Sequence, residues 1–187
     1  MTPTETARYW MSRNPLFLDT ETTGLDDAAE IVDIAIIDSA GQPLINTLVR
    51  PRLPIPPGAQ AVHGISNEMV RQAPAFGELW PEVRRLLSGR LVIIYNADYD
   101  TRMIRQSLGN LPLQWDTLTN GAPEYDCAML AYAAHYGDWN DYRGSYRWQK
   151  LGDAARQCRI PLPADLHRAA ADAELARLIV KHMAAQV

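Results

Sequence analysis

The sequence predicts an α/β fold in which a five-stranded mixed sheet is flanked by helices, and three observations carry that reading. Three apolar runs come first, joined by short connections, which is the pattern of an antiparallel meander. Strand-like and helical segments then alternate, as they do where a sheet gains parallel strands. No internal repeat, low-complexity tract or Gly/Ser linker interrupts the 187 residues, so one domain over 1–187 is expected.

Residues 1–13 fit a short helix or an N-terminal arm. Leu16-Phe17-Leu18-Asp19 reads as a buried strand that gives way to polar residues and a turn at Thr23-Gly24. Glu30 to Ile37 is a second strand, apolar nearly throughout, and Pro43 to Arg50 a third, entered by a turn at Gly41-Gln42. The proline-rich stretch Pro51 to Pro57 reads as extended loop, because proline fixes φ and lacks an N–H. Ser66 to Leu87 reads as helical in two segments parted at Pro74, with Ser66 as N-cap of the first. Leu91 to Tyr95 is a β-branched run suited to a central strand, and Asp98 to Leu108 a helix ended by Gly109-Asn110. A short strand at Tyr125 to Cys127 leads into a helix from Ala128 to His135; helices at Trp148 to Arg159 and Ala170 to Ala185 follow.

Composition narrows the function classes. A chain that is 47% hydrophobic and 21% charged is an ordinary globular protein rather than a disordered one. No apolar run reaches the ~20 residues that span a bilayer, and Met1 to Arg13 lacks the apolar core of a secretory signal. A cytoplasmic protein with no membrane partner is therefore expected. Cys127 and Cys158 are too few for a disulfide framework or a zinc site. The net charge of −4 by itself disfavours a nucleic-acid partner. Four carboxylates holding two divalent cations would offset about four of those charges, so net charge decides nothing.

Three short segments carry the chemistry. Asp19 and Glu21 stand two apart at the end of an apolar strand, so their carboxylates project to one face. Two such charges side by side are costly unless a cation lies between them, although a solvated strand end would explain Asp19 alone. Asn96-Ala97-Asp98-Tyr99-Asp100 follows a strand and opens a helix; Asn96 or Asp98 fits a cap, and Asp100 falls in the first turn. Asp172 aligns with the apolar stripe Leu175, Ile179 and Met183, an odd place for a solvent-facing carboxylate, and His167 precedes it by five residues. Read alone, that last segment fits a helix cap beside a surface histidine equally well.

In this order, the three segments resemble the motifs of the DEDD exonuclease superfamily in its histidine branch. F-L-D-T-E-T-T-G-L at Phe17 to Leu25 looks like the first motif, Y-N-A-D-Y-D at Tyr95 to Asp100 the second and H-R-A-A-A-D-A at His167 to Ala173 the third. Val62-His63-Gly64-Ile65 resembles the V-H-G-I segment between the first two. The resemblance covers nearly the whole chain and is nearest in type to the proofreading epsilon subunit of bacterial DNA polymerase III. It implies an RNase H-like fold with strand order 3-2-1-4-5 and strand two antiparallel. It also implies 3′–5′ hydrolysis of nucleic acid to nucleoside 5′-monophosphates with two Mg²⁺ or Mn²⁺ ions, roughly 3.5–4 Å apart. Asp19, Glu21, Asp100 and Asp172 would be the metal ligands and His167 the general base. Thr22, Gly24, Leu25, His63 and Asn96 would contact the terminal nucleotide.

Two departures from the family pattern bear on substrate. Tyr95 stands where the second motif usually has histidine, and Gly58 where the proofreading subunit has a substrate-contacting glutamate. Trp139 to Trp148 interleaves aromatics and arginines, among them Tyr142 and Arg143, as a single-strand contact or a partner-packing loop would. The expected partner is nucleic acid, with single-stranded DNA or DNA 3′ ends favoured and RNA the alternative. The protein is expected to act as a monomer or homodimer, with polymerase association a further option. A noncatalytic nucleic-acid-binding module is disfavoured, because none of the five active-site residues is missing.

Overall fold

The computed structural model describes residues 1–109 and 121–186. Its sheet contains β1 (Leu16–Thr22), β2 (Ile31–Ile37), β3 (Pro43–Leu48), β4 (Leu91–Ile94) and β5 (Glu124–Cys127) in the order β3-β2-β1-β4-β5. β2 runs antiparallel to both β1 and β3, while β4 and β5 are parallel to β1. This is the RNase H-like order expected from the sequence.

Alternation along the strands sorts side chains into two layers. Phe17, Ala35, Ile37, Leu91 and Ile93 face one core with Trp10 of α1 (Pro3–Ser12) and residues of α6 (Ala128–Tyr136), α7 (Leu151–Gln157) and α8 (Ala169–Ala185). Leu16, Leu18, Ile34, Ile36, Val92 and Ile94 face the other, against α4 (Phe76–Leu87) and α5 (Ala97–Ser107). A third, smaller cluster joins Val32 to Ile55, Ile65 and Val70 beneath α2 (Pro57–His63) and α3 (Asn67–Val70). No described helix is long and apolar enough to cross a membrane.

The structure departs from the sequence expectation at several element ends. β1 continues through Thr20, Glu21 and Thr22, because β2 supplies pairing partners as far as Ile31. The extended proline-rich stretch ends in helix α2, which begins at Pro57; proline is preformed for the first helical turn, where its missing N–H costs nothing. Ser66 does cap α3, accepting from the Met69 N–H. α7 starts at Leu151 rather than Trp148; before it lie an irregular stretch and a hairpin, β6 (Trp139–Asn140) with β7 (Ser145–Tyr146). α8 starts at Ala169, one residue before the expected Ala170, so Asp172 is its fourth residue. Gly109 leaves α5 with φ +71°, whereas Asn110 lies outside the described residues.

Candidate active site

Strand alternation sets the site. Asp19 and Glu21 share the Phe17 face and point toward α8, while Thr20 and Thr22 point toward α5. The β1–β2 register shifts between Glu21 and Thr22, a bulge of the kind that re-aims side chains beside a functional site.

Each neighbouring helix delivers one acid. Asp100, in the first turn of α5, accepts a 2.7 Å hydrogen bond from the Thr20 hydroxyl. Asp172 is buried in line with Leu175, Ile179 and Met183, as its periodicity predicts. It accepts from the His167 backbone N–H at 3.3 Å, and its other oxygen lies 3.9 Å from His167 Nδ1. Ligand atoms of Glu21, His167 and Asp172 all lie within 4.8 Å of one another. His167 adopts φ +68°, a left-handed conformation that a non-glycine residue holds only when its surroundings fix it.

Next to it lies a partly buried ion pair that the sequence reading did not assign. Asp33 pairs with Glu21 across β1 and β2 and is fully buried. Its Oδ2 accepts from Arg168 Nε at 2.8 Å and from the first backbone N–H of α8, Ala169, at 3.4 Å. Asp33 therefore anchors both the segment bearing His167 and the helix bearing Asp172. A charge inside the apolar run E-I-V-D-I-A-I-I is the signal that could have found it. Arg168→Ala leaves that carboxylate buried without its cation. The expected cost is about 3 kcal/mol, the low end for a broken buried pair because Arg168 is 34% exposed. Urea denaturation measures it, and an unchanged midpoint would rule out the anchoring role.

Burial raises the proton affinity of all four acids, and the charges of their neighbours raise it further at Asp19 and Glu21. Burial, then the charges of Asp100, Asp172 and Glu21, hold the Asp19 carboxyl well above the usual range. Burial and Asp172 push Glu21 up to about 8, and burial raises Asp100 to about 7 despite its bond from Thr20. Burial also raises Asp172. Such a cluster of hard oxygen donors fits divalent cations of the Mg²⁺ or Mn²⁺ type, which supply the missing positive charge. A sign follows for stability. Folded Glu21 binds its proton more tightly than the unfolded residue (4.5), so between about 4.5 and about 8 the folded state holds more protons and loses stability as pH rises. Metal-free protein should thus melt at falling temperature across that window, and Glu21→Gln should flatten the slope. Equal slopes for the two proteins in thermal melts would contradict the clustering.

A cleft of about 740 Å³ opens beside the acids, lined by Leu25, Gly58, Val62, His63, Asn96 and Tyr99 among others. Leu25 is 79% exposed at its mouth. His63 is buried; its Nδ1 accepts from the Ile65 N–H, so Nε2 carries the proton of the neutral ring. That N–H faces the Thr22 carbonyl outside hydrogen-bond geometry and has no partner among the described residues. Burial lowers the His63 pKa, keeping the ring neutral. Asn96 occupies the N-cap position of α5 without a side-chain cap bond and lies exposed on the cleft. Gly24 has no positive φ, and a Cβ there would meet nothing within 4 Å, so the fold itself does not demand glycine.

α5 also clasps the loop after β1. Tyr99 Oη lies 2.5 Å from Thr22 Oγ1 and 2.9 Å from the Gly24 carbonyl oxygen. Arg102 donates to the Leu25 and Asp26 carbonyls, and Gln106 to those of Asp26 and Ala29. These residues escaped the sequence reading, yet their spacing of three and four on one helix face is a legible sign of a common partner. Tyr95 turns away from the cleft into the core and donates to the Gln149 carbonyl at 2.8 Å.

The exonuclease (RNase_T) family profile matches residues 16–179, which contain every residue of this site. The chain belongs to the exonuclease family. It is 42% identical over 184 residues to an uncharacterised exonuclease, CP81, of Escherichia phage 186, covering 98% of this chain and 94% of that one. The DNA polymerase III subunit epsilon of Rickettsia conorii is 28% identical over 170 residues, 88% of this chain and 70% of its own. Among solved structures, exonuclease X in complex with 5′ overhanging duplex DNA superposes with TM-score 0.63 and 26% identity, covering 90% of each chain. This exonuclease is therefore an enzyme acting on nucleic acid, with the fold and family that its motifs imply.

Proposed function

We propose that the protein is a 3′–5′ exonuclease that releases nucleoside 5′-monophosphates from DNA, preferring single-stranded 3′ ends. The observation that carries this reading is the convergence of Asp19, Glu21, Asp100, Asp172 and His167 beside a cleft with an exposed Leu25 and an unpartnered His63 N–H donor. Glu21 and Asp172, with Asp19 and Asp100 beside them, would hold divalent cations of the Mg²⁺ or Mn²⁺ type. Bound there, such ions acidify water and neutralise charge on the phosphodiester. His167 accepts the proton of the attacking water at a ring nitrogen. The water oxygen bonds to phosphorus, the P–O3′ bond breaks, and the 3′ oxygen of the shortened strand keeps the electron pair.

The cleft residues orient the terminal nucleotide. Leu25 lies against the last base, the Thr22–Gly24 backbone approaches the sugar and phosphate, and the His63 Nε2–H donates from the opposite wall with Asn96 nearby. The room left at Gly24 suits close approach of a ligand to the main chain. The α5 clasp keeps the Leu25 loop in place, which supports preorganisation of this subsite. DNA is the favoured polymer because the superposed relative at 90% coverage is seen with DNA. Matched DNA and RNA single strands incubated with Mg²⁺ test the choice by mononucleotide release. DNA should be consumed faster; faster loss of the RNA would assign the enzyme to ribonucleic acid instead.

A further inference from the structure

We propose that the β6–β7 hairpin and the residues after it are a second nucleic-acid contact, which grips a single strand upstream of the 3′ end bound in the cleft. The proposal rests on the exonuclease reading above and extends it to a surface outside the catalytic cleft. Placement is the first argument. β1 and β4 are parallel, with Phe17 opposite Ile93, so Tyr95 stands level with Asp19 at the catalytic end of the sheet. Tyr95 Oη holds the Gln149 carbonyl, just beyond the hairpin. Gly152, at the start of α7, packs near Leu166, the residue before His167. The chain just after the hairpin is thus fastened to the two segments that deliver Asp100 and His167.

Chemistry is the second argument. Tyr142 is 98% exposed at the hairpin tip and Trp148 66%, although large aromatic faces gain by leaving water. Trp139 and Tyr146 brace the stem edge to face at 5.0 Å. The Arg143 guanidinium has no ion pair or hydrogen bond among the described residues, while Arg147 pairs with Asp138 at 3.4 Å. Lys150 adds a cation and Asp141 an anion, both exposed. A groove of about 390 Å³ runs between Arg143, Tyr146, Arg147 and Trp148. Exposed rings with interleaved cations match unstacked bases and their phosphates. In duplex DNA the bases are stacked on one another and offer the rings no free face.

The test measures binding by fluorescence anisotropy in a His167→Ala background with Mg²⁺, in which hydrolysis is slow on the time scale of the titration. The probes are a DNA single strand of about 16 nucleotides and a blunt duplex of the same sequence. Tyr142→Ala with Trp148→Ala should raise Kd for the single strand about tenfold and leave the duplex Kd less affected. Arg143→Ala should lower the slope of log K against log salt by about 0.7. All the substituted side chains are exposed, and circular dichroism checks that the fold is kept. An unchanged single-strand Kd in both variants would overturn the proposal. An unchanged Kd with lost self-association in ultracentrifugation would overturn it too, assigning the surface to a protein contact. Either failure is distinct from failure of the exonuclease reading, in which the wild-type protein would release no nucleotide at all.

Discussion

Asp19→Asn is expected to abolish turnover while leaving the fold intact, or even firmer. Asp19 lies among Glu21, Asp100 and Asp172, whose charges together with burial hold its carboxyl well above the usual range. An amide of equal size removes one of those mutually repelling charges, so the metal-free variant should melt no lower than wild type at pH near 8. The same change replaces an anionic carboxylate oxygen with an amide, which would hold divalent cations far more weakly. Metal stabilisation of the reacting phosphodiester is worth several kcal/mol, and losing about 4 kcal/mol lowers kcat by about 10³-fold. The rise in melting temperature on adding Mg²⁺ or Mn²⁺ should disappear in parallel. Near-normal kcat, or an intact metal-dependent shift, would remove Asp19 from the centre of the site.

His167 should separate from Asp19 in one informative respect. Removing a general base costs typically about 10²–10⁴-fold in rate, so His167→Ala should lose most of kcat with little change in KM. Metal binding should survive, because the carboxylates remain. The ring nitrogen lies close enough to Glu21 and Asp172 to reach a shared ion, so this arm has real discriminating power. Loss of the metal-dependent melting shift in His167→Ala would make the residue a ligand instead of a base. The backbone at φ +68° calls for a control, since alanine is strained there and glycine is not. His167→Gly should therefore match the alanine variant in kcat but exceed it in stability.

The chain made some features plain and left others silent, for physical reasons. β-Branched and apolar runs announced the sheet, and residue alternation announced that Asp19 and Glu21 share a face. Asp172 was readable because a carboxylate fell on the buried stripe of a helix. Helix α2 was not, because Pro56-Pro57 reads as a break although proline at the first helical position starts a helix. The hairpin at Trp139–Tyr146 was invisible because its strands are two residues each, too short for any period to register. The roles of Asp33, Tyr99, Arg102 and Gln106 depend on contacts between residues 75 to 136 positions apart. No local pattern encodes such contacts. The odd placement of Asp33 in an apolar strand and the three-and-four spacing of Tyr99, Arg102 and Gln106 hint that partners exist without naming them. Tyr95 shows the converse: a departure from the family pattern that looked relevant to substrate turns out to brace the Gln149 carbonyl.

The most direct test of the account follows product release from a single-stranded DNA labelled separately at its two ends. With Mg²⁺ present, a 3′ label should leave first as a mononucleotide, while a 5′ label should report a ladder shortening one nucleotide at a time. A chelator should stop both. Immediate release of the 5′ label as mononucleotide, internal cuts without a ladder, or degradation that persists in the chelator would contradict metal-dependent 3′–5′ exonuclease action at this site.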